Sequence, residues 1–163
     1  MPLSESDRDC IESFRTYIQE TVATDDRYGQ AERNDAKDQA TLATRFMEGP
    51  SCWFEAAVRP AAKEIRVGFF TMDAAINDEC LAVIAESGVS PEQFVGEAFG
   101  EIGLDWSEPP VEQGKDSGTF FFATPVTLDE LADLETDEVR DRTLRMLEGY
   151  LLAFGPVLGA GEE

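Results

Sequence analysis

With 163 residues, 42% of them hydrophobic and 11 of them Phe, the chain is long enough to bury about 70% of its unfolded surface as one domain, which excludes wholesale disorder. The 13 basic and 34 acidic residues leave a formal charge of −21, which repels phosphates and anionic membranes and argues against nucleic acid and membrane as partners. His is absent, so the commonest general base, transition-metal ligand and physiological pH switch are missing together.

Cys10, Cys52 and Cys80 are odd in number and widely spaced, without a CxxC pair, and read as buried thiols of a reducing cytosol rather than as disulfides or metal ligands. No leader-like segment and no apolar run of about 18 residues is visible, so a cytoplasmic location is expected. Lysine is scarce, with only Lys37, Lys63 and Lys115 present. That scarcity beside so many carboxylates fits either an ordinary acidic protein or adaptation to high internal salt.

In chain order, Ser6 and Asp9 resemble an N-cap with an acid at N3, and Cys10, Ile11, Phe14, Tyr17, Ile18 and Val22 predict an amphipathic first helix. Residues 24–39 are polar and read as weakly ordered. Leu42 to Met47 fits either the end of a helix begun near Ala31 or a strand with Leu42, Thr44 and Phe46 on one face. From Cys52 the period changes to two, and Cys52 to Val58 with Ile65 to Phe70 predict an antiparallel hairpin turning at Pro60 to Lys63.

Asp73 then caps a helix ended by Gly88, and Ser90, Pro91 and Gln93 open another that closes at Gly103. Trp106 to Val111 predicts a Pro-interrupted edge strand, Thr119 to Val126 a firm strand, and Thr127 with Glu130 a capping box. The stripe Val139, Thr143, Met146, Leu147, Tyr150, Leu151 and Phe154 predicts a long final helix stopped by Gly155 and Pro156. The order of elements predicts a single α+β domain over 1–163, with an antiparallel sheet flanked by N-terminal, central and C-terminal helices.

Little of this carries enzyme chemistry. Without His, nucleophilic catalysis falls back on three lysines in polar segments, and Gly96, Gly100 and Gly103 lie in or at the end of a helix rather than in a phosphate loop. The acids Asp129, Glu130, Asp133, Asp137 and Glu138 lack a calcium-loop spacing and cluster where helices begin, so they read as a solvated acidic surface matched to helix dipoles. No metal and no cofactor is implied.

More informative is the second face of the strands, where Trp53, Phe70, Met72 and Phe121 lie opposite Phe54, Val67, Phe69, Phe120 and Phe122. Either the two central helices cover this aromatic side, or it is a groove for a partner peptide or a dimer seam.

The leading amphipathic helix, the hairpin from Cys52 to Met72, the strand from Thr119 to Val126, the Thr127-Leu128-Asp129-Glu130-Leu131 segment and the closing helix Arg145-Met146-Leu147-Glu148-Gly149-Tyr150-Leu151-Leu152 resemble the fold of type III secretion chaperones and YbjN-like proteins. The resemblance implies a secretion-chaperone-like fold and a small acidic cytosolic protein, not an enzyme, that dimerises and binds extended or amphipathic segments of a partner. The chain departs from that pattern in having two helices, 74–87 and 91–102, where the family typically has one. The expectation is a non-enzymatic chaperone- or adaptor-like module that binds a partner polypeptide, by strand pairing or helix docking, through Trp53, Phe70, Met72 and Phe121, with an acidic rim that gives solubility and selects basic partners. The alternative is an acidic nucleic-acid mimic or regulatory inhibitor that engages a basic protein through the carboxylates of 129–141.

Overall fold

In the computed structural model, which describes residues 3–38 and 40–160, the first helix begins at a cap two residues earlier than the sequence pattern suggests. The Ser4 hydroxyl accepts from the Asp7 backbone N–H at 3.0 Å, and α1 spans Glu5–Val22 with Ile11, Phe14, Ile18 and Val22 buried. After a turn the chain enters β1 (Ala31–Asp35) and returns as β2 (Leu42–Met47), which resolves the helix-or-strand choice as two antiparallel strands. Five residues of the polar stretch 24–39 thus belong to the sheet, while Gln39 lies outside the described residues.

β3 (Cys52–Arg59) and β4 (Glu64–Thr71) form the expected hairpin, turning through a 3-10 segment at Pro60–Ala62 and Lys63, whose φ is 51°. α2 (Ala74–Ser87) starts at Asp73, whose side chain accepts from Ala75 N–H at 2.9 Å, and ends at Gly88. α3 (Pro91–Glu101) carries a full Ser90/Gln93 capping box. Residues 106–111 are not a strand. Their two prolines, Pro109 and Pro110, lack the ladder donor, and the edge strand forms just beyond them as β5 (Glu112–Asp116), turning through Ser117 and Gly118 into β6 (Thr119–Thr127).

The capping box expected at Thr127 sits three residues later. Thr127 ends β6, and Glu130 with Asp133 caps the 3-10 segment Leu131–Glu135. The last helix, α4 (Asp137–Ala160), runs through Pro156 instead of stopping there, and Val157 beyond the proline is buried in the core. That burial offsets the backbone hydrogen bond that Pro156 cannot donate.

Among the described residues the six strands are all antiparallel, in the order β1-β2-β3-β4-β6-β5, so the architecture is α+β. The helices α1, α2, α3 and α4 join one core on one face of the sheet, where Phe14, Phe54, Phe69, Phe99, Phe122, Tyr150 and Phe154 are 2% exposed or less. Phe154 stacks on Phe122 and Phe69 at centroid distances of 5.0 and 5.6 Å, and the buried Tyr150 hydroxyl pairs with Thr124 at 2.7 Å, which docks α4 on the sheet centre.

α1 is tied to the sheet margin by the buried Arg15. Its guanidinium donates to both Asp35 carboxylate oxygens at 2.7 and 3.0 Å and to the Ala43 carbonyl at 2.9 Å. The three cysteines are free and buried; burial pushes the Cys80 thiol up to about 12, which keeps it protonated and unreactive.

Candidate functional site

Among the described residues, no helix lies on the opposite face of the sheet. α2 and α3 pack with α1 and α4 into the core on the other side, which removes the alternative that the central helices cover the aromatic face. Strand register arranges this open face in rows. Met47, Trp53, Phe70, Phe121 and Gly114 follow one another across β2, β3, β4, β6 and β5. The next row is Arg45, Glu55, Gly68, Ala123 and Glu112, and the row after it holds Ala43, Ala57, Arg66 and Pro125.

The rings stack in sequence, Trp53 on Phe70 at 6.0 Å and Phe70 on Phe121 at 5.9 Å. Although no helix of the described residues lies above them, Trp53 is 2% exposed and Phe70 6%. Arginines supply the cover. The Arg45 guanidinium carbon lies 4.2 Å from the Trp53 ring centroid, and that of Arg66 lies 5.5 Å from Phe70 and 5.2 Å from Phe121. A partner approaching this face therefore meets guanidinium groups before it meets rings.

Glu55 pins the layer from below. Its Oε1 accepts from Trp53 Nε1 at 3.1 Å and from Arg45 Nε at 3.3 Å, and burial pushes its carboxyl above the usual range, opposed chiefly by the charge of Arg45. Arg66 is less well matched. Its ion pair with Glu112 is 3.7 Å long, its buried Nε has no partner among the described residues, and burial holds its guanidinium below its ordinary value. Arg59 reaches Glu64 at 3.3 Å along the margin.

Between these side chains and the tips of the β1-β2 and β5-β6 hairpins runs a groove of about 640 Å³. Gly68 keeps its floor low at the sheet centre, since a Cβ there would collide with the Phe122 carbonyl and with Ala123.

Of the residues expected to bind a partner, Trp53, Phe70 and Phe121 are brought together and line this groove, whereas Met72 lies past the end of β4, 58% exposed and outside it. Sequence reasoning passed over Arg45, Glu55, Arg59 and Arg66. Their signal was present, because in each strand they alternate with the buried apolar positions and so share the face of Trp53 and Phe70.

The acids separate into different environments. Asp129, Asp133 and Glu138 line a cleft of about 340 Å³ beside Arg142, Glu130 is exposed with its backbone N–H held by Asp133, and Asp137 sits in the first turn of α4. Among the described residues no group of three or more His, Cys, Asp or Glu is placed to hold a metal ion, and no helix is long and apolar enough to cross a membrane. In comparisons with protein-family models, with curated proteins and with solved structures, nothing matches the chain.

Proposed function

We propose that the protein is a non-enzymatic, cytosolic binding module, chaperone- or adaptor-like, that takes a segment of a partner polypeptide across the open face of its sheet. The observation that carries this reading is the groove itself, on a sheet face that no helix of the described residues covers, with stacked arginines and aromatic rings held in place before any partner arrives. Strand pairing is the less favoured mode. Both edge strands are short, exposed and charged, Ala-Glu-Arg-Asn-Asp in β1 and Glu-Gln-Gly-Lys-Asp in β5, a composition that discourages an added strand. The resemblance to secretion chaperones and YbjN-like proteins points toward polypeptide binding as well, and adds homodimerisation to the proposal.

The carboxylate nearest the centre of the groove, Glu55, is engaged by Trp53 and Arg45 rather than free for proton transfer, which supports a binding rather than a catalytic reading. Selection from a displayed random-peptide library tests it. The expected outcome is a family of peptides that share a pattern and shift the amide resonances of β3, β4 and β6 on the open face. Peptides that shift only the helical layer, or a selection without any shared pattern, refute the open-face site.

A further inference from the structure

We propose that the groove recognises an acidic segment, with carboxylate side chains of the partner received by Arg66, Arg45 and Arg59. This deepens the polypeptide-binding reading and rests on it. The observation is one of charge placement: in a chain of formal charge −21 with 34 acidic residues, three guanidinium groups converge on a single concave face. Of the carboxylates on that face, Glu55, spent on Trp53 and Arg45, and Asp116, at the tip of the β5-β6 hairpin, line the groove, while Glu64 and Glu112 stand at its margin beside Arg59 and Arg66.

The arginines are also prepared for anions. Arg45 and Arg66 lie against aromatic rings, so little rotamer freedom is left to lose on binding. Arg66 is under-matched: its buried Nε has no partner among the described residues, and its terminal nitrogen meets Glu112 at 3.7 Å, beyond hydrogen-bond length, on a carboxylate that is itself 47% exposed. An incoming carboxylate that displaces Glu112 gains charge-assisted hydrogen bonds from a planar donor already in position. Specificity follows from the remaining surface. An acidic segment is repelled almost everywhere else on this protein and attracted at this groove, whereas a basic segment is attracted broadly and repelled here.

The test uses dye-labelled peptides of about ten residues that alternate Ser with Glu, Gln or Lys, titrated into the full chain and read by fluorescence anisotropy. Since each charge-assisted hydrogen bond is worth about a factor of ten or more, the Glu peptide is expected to bind about tenfold tighter than the Gln peptide. On the same scale Arg66→Gln loses about tenfold for the Glu peptide, Arg59→Gln at the margin about threefold, and Arg8→Gln on α1, away from the groove, nothing. Arg59→Gln leaves both arginine stacks intact, so it keeps the test decisive if Arg66→Gln unfolds. Equal binding of Glu and Gln peptides that still shifts the open face overturns the acidic-segment inference and leaves polypeptide binding standing. Tightest binding of the Lys peptide, insensitive to both groove variants, overturns the inference too. Binding of none of the three, with library-selected peptides failing as well, overturns both.

Discussion

Glu55 carries the clearest pH consequence at the residue scale. Burial favours its neutral form in the fold, so its folded value lies above the ordinary 4.5. A carboxyl whose value is raised on folding contributes stability that is full below the unfolded value and lost as pH rises through the folded one. Compared with Glu55→Gln, the wild-type protein is therefore expected to lose stability progressively as pH rises above 4.5, in urea titrations run in parallel at several pH values. A difference between the two proteins that does not change with pH refutes this. Trp53 is the second such residue. At 2% exposure, with its ring between Phe70 and Arg45, Trp53→Ala is expected to cost about 3–5 kcal/mol in the same measurement, a core value although its cover is a guanidinium group.

Among the elements, β1 owes its place to ladder hydrogen bonds and ion pairs rather than to apolar burial. Its residues are largely exposed, but Asp35 takes the Arg15 fork and Arg33 reaches Glu12 at 2.7 Å, so two charges on α1 hold the strand down. Arg15→Ala is expected to cost about 3 kcal/mol, the lower end for a broken buried pair because Asp35 keeps some access to water. Amide exchange in β1 should rise more than in β3 or β4. Equal acceleration in all three strands refutes the tether. The β5-β6 hairpin depends on its two-residue turn, where Ser117 and Gly118 have φ of 51° and 86°. Gly118→Val places a β-branched residue in that left-handed region and is expected to speed exchange in β5 selectively.

At the scale of the whole molecule, the charge of −21 sets the response to salt. Self-repulsion opposes the compact state and is screened as the Debye length falls from about 30 Å at 0.01 M to about 3 Å at 1 M, so the melting temperature is expected to rise across that range. A gain of ~1 kcal/mol moves the midpoint of a domain this size by about 3 °C. A midpoint that falls with salt means that attractive ion pairs such as Arg15–Asp35 and Arg27–Asp25 outweigh the repulsion. Light scattering over the same series tests the dimer: a molar mass of twice 18.0 kDa at both ends supports it, and 18.0 kDa at both removes it from the proposal.

The α+β class, the central hairpin, the caps at Asp73 and Ser90 and the helical stripe of α4 were legible in the sequence, because each depends on residues within one or two turns of chain or on an alternation of period two. β1 was not, since a charged edge strand has no apolar alternation to reveal it, and β5 was hidden behind two prolines, although the Ser-Gly pair at 117–118 marked its turn. For the candidate site, the sequence by itself determined that Trp53, Phe70 and Phe121 share one face, because strand periodicity is local. Only the tertiary structure decided what lies above that face. The helices α1 to α4 pack on the other side of the sheet, and strand register, which joins residues far apart in the chain, brings Arg45 over Trp53 and Arg66 over Phe70 and Phe121, so that an aromatic row becomes the buried floor beneath a layer of guanidinium groups.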